Sequence, residues 1–314
     1  MAGNANFDAL LSTTLANYRA QLTDNVFTAR PLTYHLMDKG RIRMLNGGTK
    51  IVEPLIYGQN STVASYSGYD TVSLTAQDGI SAAEYDWKQY AASIAISGIE
   101  EAKNNGEQEI INLLEAKIMQ AEESMREGFN QMFFADGTGN SGKDWNGLGN
   151  LIESGNTVGG INSATGQGNN WWRSYEENTS AALTLAQMAT AYNSVSVGND
   201  HPDLVLTTQT LFEKYEALLQ PNLRYTDTKT ADAGFQNLLF KAAPVTYDVH
   251  CTSGVMYFLN SKYISLVGHS GKWFSQTDFI RPENMDARYA LIMCYGNLTV
   301  RNRAKQGKLT AKTA

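Results

Sequence analysis

The sequence GTGNSG at residues 137–142, followed by Lys143, comes nearest to a chemical motif. Its glycine spacing matches a dinucleotide-binding fingerprint and, with Lys143, nearly matches a phosphate-binding P-loop. Both chemistries require a strand before the loop and a helix after it, because the helix N-terminus holds the phosphate. Here a long helical pattern precedes the loop, and Asp144 stands where a P-loop needs Ser or Thr. We therefore interpret residues 137–142 as a flexible glycine loop.

The histidines and cysteines give no catalytic or metal-binding pattern either. Cys294 falls in an apolar strand pattern, where a thiol is inert, and Cys251 follows His250 without further ligand spacing. Two cysteines also exclude a disulfide framework, and free buried thiols are the expected state. The remaining histidines are too far apart in sequence to match a zinc-binding frame: His35, His201 and His269. The sequence predicts no catalytic residue, no cofactor and no metal site, and therefore a protein that is not an enzyme.

Composition points instead to a surface that another molecule covers. The chain has 314 residues, of which 42% are hydrophobic and 18% are charged. This charged fraction lies below the roughly 25% of ordinary soluble domains, while the hydrophobic content excludes a disordered chain. No 18 apolar residues run together, and no secretory signal pattern opens the sequence, so we expect a cytoplasm-like setting.

Charge is unevenly distributed along the chain. The net charge is −6, yet residues 301–314 hold five basic and no acidic side chains. Such a basic end on an acidic body can clamp onto neighbouring copies or touch polyanions, or it can be a solubilising tail.

The first hundred residues change pattern several times. Apolar spacings of three and four predict a helix over residues 7–22, and Pro31 suits the start of a second helix that ends by Asp38. Residues 41–56 alternate around an Asn-Gly-Gly turn and predict a strand, a tight turn and a strand. Residues 57–97 are rich in Ser, Thr, Tyr and Val and predict a long hairpin. Because this hairpin holds too few apolar residues for a core of its own, it needs another surface to lie on.

A long amphipathic helix gives the strongest local signal. Apolar side chains recur with a period near 3.7 from Ile110 to Met132 and predict a helix over Glu107–Phe134. The opposite face carries Glu115, Glu122, Glu123 and Glu127 and is predicted to face solvent or a partner.

The remainder of the chain predicts an α/β region that ends in strands. Residues 137–170 hold many glycines and predict an irregular segment. Helices are predicted at residues 181–195 and 208–219, with a buried strand at residues 203–207 between them. Further strands are predicted at the following ranges: residues 244–250, 255–259, 263–267, 288–295 and 297–303, the last two hinged at Gly296.

This order of parts resembles the major capsid proteins of tailed bacteriophages, which share the Hong Kong 97-type fold. The segments that are most similar to phage capsid subunits lie in the C-terminal half: HPDLVLTTQTLFEKYEALLQP (201–221), GFQNLLFKAAPVTYD (234–248), MYFLNSKYISL (256–266) and GNLTVRNRAKQGKL (296–309). The resemblance covers nearly the whole chain and implies an α+β fold. It implies an N-arm (1–50), an E-loop (51–97), a P-domain with a spine helix (98–148 and 285–314) and an A-domain (149–284).

The resemblance also implies a function and partners. It implies a major capsid protein that self-assembles, as hexamers and pentamers, into the icosahedral head of a tailed phage around double-stranded DNA. Implied partners are a separate scaffolding protein, a portal, a decoration or cement protein, and packaged DNA held by non-specific proximity, with no membrane. The protein would be assembled in the host cytoplasm and reside in the virion. Another virion structural protein, of the tail or decoration, and a bacterial compartment shell of the same fold remain alternatives.

Six residues are candidate intersubunit contacts on this reading. Aromatic side chains offer large contact areas at low entropic cost, and basic side chains near the arm can pair with a neighbour. The candidates are Arg41, Arg43, Tyr66, Tyr69, Tyr85 and Trp87. Residues 51–87 contain no lysine, so we expect a shell without covalent crosslinks through this arm.

Overall fold

The structure is a computed structural model that describes residues 30–103, 107–219 and 237–314. The helix predicted over residues 7–22 lies outside the described residues. The α-helices are α1 (Pro31–Asp38), α2 (Gly98–Lys103), α3 (Glu107–Phe134), α4 (Leu148–Leu151), α5 (Leu185–Val195) and α6 (Gln209–Leu218), and a single helical turn lies at Gly139–Gly142. The strands of the first half are β1 (Ile42–Leu45), β2 (Ile51–Ile56), β3 (Ile80–Tyr85), β4 (Lys88–Ser97), β5 (Thr157–Val158) and β6 (Ile161–Asn162). Those of the second half are β7 (Tyr175–Glu177), β8 (Ala181–Ala182), β9 (Leu204–Thr207), β10 (Asn237–Phe240), β11 (Ala243–Tyr247), β12 (Met256–Leu259), β13 (Ile264–His269), β14 (Ser275–Gln276), β15 (Ala287–Val300), β16 (Gly307–Leu309) and β17 (Lys312–Thr313).

A five-stranded sheet is organised around the 14-residue strand β15. β15 pairs with β4 along its first ten residues and with β13 along its last five. β1 adds to the far side of β13 in parallel, and β14 pairs beside the middle of β15. One strand therefore spans the length of the sheet and joins both of its halves.

Helix α3 packs on this sheet through the apolar stripe that its sequence predicts. Ile118, Ala121, Met125 and Phe129 are buried, at successive spacings of three, four and four residues. The predicted bounds of the helix, Glu107–Phe134, are confirmed. The side chains of Ile110 and Leu114 lie outside the described set. The Phe129 ring meets Trp145 at 5.1 Å in an edge-to-face arrangement, which fixes the end of the helix against the following segment.

A six-stranded sheet in the order β10-β11-β9-β12-β16-β7 carries a second core. Helices α5 and α6 contribute Met188, Val195 and Tyr215 to this core. The predicted helix over residues 181–195 begins later, after Thr184. The hydroxyl of Thr184 accepts a hydrogen bond from the Gln187 N–H, and the Gln187 side chain accepts one from the Thr184 N–H. This capping box starts α5 at Leu185.

Two sequence predictions about strands are wrong. β1 and β2 do not form a hairpin, because β1 pairs with β13 and β2 pairs with β3. Gly296 is not a hinge, since β15 runs through it; a Cβ there would lie 2.3 Å from the Val267 carbonyl oxygen. The segment 137–170 is irregular over most of its length, as predicted, yet Trp145, Leu148 and Leu151 within it are fully buried.

Candidate assembly surface

An arm of residues 57–79 projects between β2 and β3. These two strands pair antiparallel from Ile51 opposite Tyr85 to Ile56 opposite Ile80. The Tyr57 N–H donates to the Gly79 carbonyl oxygen at 2.9 Å and closes the arm where the strands end. The hairpin predicted over residues 57–97 has different bounds: its paired strands are β2 and β3, residues 57–79 form no strand, and residues 88–97 form β4 of the five-stranded sheet. We call β2 and β3 the arm base.

The arm base is fixed by a buried carboxylate on β2. Glu53 is fully buried, and its two oxygens lie 2.9 Å from Nη1 of Arg43. The Nε of Arg301 lies 2.7 Å from the same carboxylate, and the Thr299 hydroxyl lies 3.2 Å from it. A buried carboxylate is stable when it is paired and hydrogen-bonded, and here its partners come from β1 and from the end of β15. The arm base is thereby attached to β1 and β15.

Tyr85 is buried and holds the other edge of the arm base. Its hydroxyl donates to the Val300 carbonyl oxygen at 2.8 Å, and the Val300 N–H donates back to that hydroxyl at 3.3 Å. Burial raises the pKa of the Tyr85 phenol above its usual range. Because this side chain is 3% exposed, its prediction as an intersubunit contact is wrong. Alternation along β3 points Tyr85 inward, to the same face as Ala83.

The glycine-rich segment braces the arm base from outside. The Glu84 N–H donates to the Gly159 carbonyl oxygen at 3.0 Å. Gly159 has a φ of +61°, and a Cβ there would lie 2.6 Å from the Cβ of Ala83, so both backbone conformation and space favour glycine. Tyr57 stacks on Trp171 with ring centroids 4.9 Å apart. The arm therefore leaves the subunit in a defined direction.

Exposed apolar side chains are concentrated on this arm and its base. Of the 17 large hydrophobic side chains exposed in the described residues, nine lie between positions 52 and 80. Tyr69 is fully exposed, Leu74 is 95% exposed and Val63 is 83% exposed. Single exposed apolar residues are ordinary, but a cluster of them marks an interaction surface. The charge deficit of the chain lies here too, since residues 51–87 contain no Lys or Arg.

The other predicted contact residues occupy different environments. Tyr66 is 69% exposed and, with Tyr69, remains a candidate. Trp87 is half-buried and donates its Nε1–H to the Gly48 carbonyl oxygen at 2.9 Å, which leaves part of its ring accessible. Arg43 uses its guanidinium on Glu53 within the subunit rather than on a neighbour. Arg41 is half-buried, and its backbone carbonyl accepts from the Leu266 N–H at 2.9 Å.

The basic C-terminal segment is folded into the subunit, contrary to the predicted tail. β16 pairs with both β12 and β7. The ammonium of Lys308 pairs with Glu176 at 3.2 Å, and that of Lys312 pairs with Glu177 at 2.7 Å. The charges of Lys308 and Lys312 are therefore balanced within the protein.

Arg303 is fully buried within the same C-terminal segment. Its Nε donates to the Leu151 carbonyl oxygen at 2.9 Å, and its Nη1 donates to the Ser163 hydroxyl at 3.0 Å. Its Nη2 donates to the Glu153 carbonyl oxygen and to the Asn156 side chain. Burial lowers the pKa of this guanidinium to about 10. A single side chain thus organises the loop between α4 and β6.

The polar face of α3 connects separate segments instead of facing only solvent. Glu127 accepts from Nη2 of Arg30 at 2.6 Å and lies 2.5 Å from Nε2 of His250. Glu122, predicted on the exposed face, is buried. The helix is therefore held on its outer side to the start of α1 and to the turn after β11.

Comparison with solved structures identifies the architecture. The capsid asymmetric unit of cyanophage A-1(L) is similar with a TM-score of 0.62 and 16% identity, over 87% of this chain and 91% of that one. The procapsid of satellite phage P4, which includes the size determination protein, is similar with a TM-score of 0.53 and 12% identity, over 96% of this chain and 91% of that one. The chain has the Hong Kong 97-type fold. The holo-SrpI encapsulin complex of Synechococcus elongatus PCC 7942 is similar with a TM-score of 0.57 and 11% identity, over 88% of each chain. No protein-family model and no curated protein sequence matches this chain.

Over residues 30–103, 107–219 and 237–314, no three His, Cys, Asp or Glu side chains come together as a group that could hold a metal ion. Cys251 and Cys294 are free and buried, as predicted, and burial raises the pKa of both thiols above the usual range. None of the helices in the described part of the chain is long and apolar enough to cross a membrane.

Proposed function

We propose that this protein is the major capsid protein of a tailed bacteriophage and forms an icosahedral head around double-stranded DNA. The observation that carries the proposal is the exposed apolar arm on a subunit with the Hong Kong 97-type fold. An arm that has no paired strands beyond its base and holds Tyr69 and Leu74 in solvent gains little stability by itself. It gains stability when a neighbouring copy covers those side chains.

The firm arm base fits this role. Glu53, Tyr85 and Gly159 hold the arm in one direction before any neighbour is met. A contact surface that is already oriented loses less entropy on binding than a flexible one. Repeated around rings of identical subunits, modest contacts add into a durable shell.

The proposal extends to the parts of the fold and to partners. Residues 57–79 with β2 and β3 form the E-loop, and α3 is the spine helix. The partners are further copies in hexamers and pentamers, a separate scaffolding protein, a portal, a possible decoration or cement protein and packaged DNA. Assembly takes place in the host cytoplasm and the product is a virion component. The protein acts as a structural subunit and not as an enzyme.

A compartment shell of the same fold is the second candidate. It is supported by the similarity to the SrpI encapsulin complex and to a virus-like particle from Pyrococcus furiosus, the latter with a TM-score of 0.50. Both functions use the same subunit contacts, so the contents of the particle distinguish them.

Electron microscopy of the expressed protein tests the proposal. We expect closed or partial shells, formed either by the protein alone or after co-expression with the scaffolding protein. Particles from the native source should contain nuclease-protected double-stranded DNA, whereas a protein cargo without DNA would support the compartment. Monomers, tubes or isolated rings under all of these conditions would refute a shell function.

A further inference from the structure

A groove lies beside the arm base, where β4 begins. It has a volume of about 480 Å³ and is open to solvent. Trp87, Met293 and Tyr295 form its apolar part, and Lys88 and Lys143 stand at its polar side. Met293 and Tyr295 face this region because they alternate along β15 opposite Ala91 and Gln89. We call this feature the Trp87 groove.

The Trp87 groove is positively charged. None of its lining residues is acidic. Lys88 donates to the Gly142 carbonyl oxygen, which orients its ammonium without neutralising it. Lys143 is exposed, and among the described residues no carboxylate lies within ion-pair distance of either lysine. An aromatic floor with two uncompensated cations favours a ligand that is both aromatic and anionic.

The tip of the arm has these two properties. Residues 66–70 form a turn in which the Asp70 N–H donates to the Ser67 carbonyl oxygen at 2.9 Å. The Asp70 carboxylate accepts from the Ser67 N–H at 2.9 Å and is thereby held at the turn. Tyr66 and Tyr69 flank it with exposed rings. No basic residue offsets the carboxylate, since residues 51–87 contain none.

We propose that the arm tip of a second copy of this chain docks in the Trp87 groove, with its tyrosines against Trp87 and Tyr295 and its Asp70 beside Lys143. This inference rests on the proposed function and names the surface that receives the arm. Trp87 follows β3 by two residues and so lies at the root of the arm, whereas Asp70 lies at its tip. A contact from the tip of one copy to the root of the next is heterologous. Such contacts close into rings when the rotation between copies allows it, as a capsid ring requires.

Charge exchange between Lys143 and Asp70 tests this pairing. Lys143→Asp and Asp70→Lys should each raise the protein concentration needed for assembly about tenfold, because each places like charges together. The double variant should return it to within about threefold of the unmodified protein. Lys272→Asp, a change at an exposed lysine outside the groove, is the matched control and should leave assembly unchanged. Light scattering against concentration measures assembly, and the thermal midpoint of the unassembled subunit checks that each variant folds.

Engineered cysteines test the contact in assembled particles. Tyr69→Cys with Lys143→Cys should give covalent multimers on non-reducing gels after mild oxidation, whereas Tyr69→Cys with Lys272→Cys should give monomers. The native thiols are buried and should not interfere.

The outcomes separate this inference from the proposed function. Particles that form normally but show neither charge rescue nor crosslinked multimers would overturn the docking of the tip and leave the shell function intact. If Lys143→Asp weakened the binding of duplex DNA without changing assembly, the groove would be a polyanion site and the inference would be wrong. Failure of the unmodified protein to form particles would instead count against the shell function.

Discussion

Glu53 Oε2 and Arg301 Nε lie 2.7 Å apart although 248 residues separate them in the chain. The carboxylate is fully buried, and the side chain of Arg301 is 41% exposed. The pair joins the arm base to the residue that follows β15. The direction of the arm is thus set by a contact between distant segments and not by the sequence of the arm itself.

Loss of the Glu53 charge should weaken the subunit. Glu53→Gln leaves Arg43 and Arg301 without their carboxylate, and we expect the free energy of unfolding to fall by about 2 kcal/mol. Urea unfolding of the unassembled subunit measures this. The matched control is Glu84→Gln on the adjacent strand, whose pair with Lys50 is half exposed, so its loss should change the free energy of unfolding much less. Equal effects of the two changes would contradict the role assigned to Glu53.

At position 303 a positive charge alone should not be enough to keep the subunit stable. Arg303→Lys keeps the cation but cannot reach all four acceptors of the guanidinium, so we expect a loss of about 3 kcal/mol. Hydrogen exchange should show reduced protection of residues 151–163, which supply those acceptors. Arg173→Lys provides the comparison, because the Arg173 guanidinium makes an exposed hydrogen bond to Thr165 and its loss should have little effect.

Acidification should break the ion pair between Glu100 on α2 and Lys117 on α3. A hydrogen bond from Lys117, together with one from the Ser97 N–H, lowers the pKa of Glu100 from 4.5 to about 2. Because the pKa is lower in the folded chain than in the unfolded chain, this contact stabilises the fold above pH 4.5 and is lost as the pH falls towards 2. An NMR titration of the Glu100 carboxyl carbon measures the midpoint. Lys117→Met should move that midpoint upwards, and an unchanged midpoint would show that Lys117 is not the cause.

Apolar residues of the arm should matter for assembly and not for the stability of the subunit. Leu74 is 95% exposed, so Leu74→Ser should change the free energy of unfolding by less than about 0.5 kcal/mol. Covered by a neighbour, the same side chain should contribute about 1–2 kcal/mol, and its removal should raise the assembly concentration about tenfold. Sedimentation measures assembly, and Val197→Ser, an exposed apolar change outside the arm, should leave it unaltered.

Shells of this protein should lack covalent links through the arm. Residues 51–87 contain no lysine, so an amide bond from an arm lysine to a neighbour cannot form. Purified particles boiled in detergent and reducing agent should run as a single monomer band. A ladder of multimers in that sample would show that another residue forms such links.

Local periodicity was sufficient to predict the elements whose apolar pattern lies within one continuous segment of the sequence. The stripe through Ile118, Met125 and Phe129 predicts α3 because the buried residues that define the helix all lie within its own sequence. The arm was predictable as a segment that needs another surface, because it has too few apolar residues for a core of its own. Its exposed tyrosines, Tyr66 and Tyr69, lie where the sequence placed them.

Contacts between distant segments were not predictable in this way. The Asn-Gly-Gly turn after β1 indicates a hairpin, but β1 finds a better partner in β13, more than 200 residues away. Tyr85 was predicted to be exposed because aromatic content alone does not distinguish the two faces of a strand. The cations of Lys308 and Lys312 resemble a solvated tail in sequence because Glu176 and Glu177, which neutralise them, lie on β7.

The distance along the chain between Glu53 and Arg301 also sets a delay during protein synthesis. A ribosome that adds about 5–20 residues per second needs roughly 12–50 s to pass from one to the other. During that interval the arm has been made but its base lacks Arg301 and the Val300 carbonyl that holds Tyr85. In a nascent chain the arm is therefore complete before the contacts that attach its base can form.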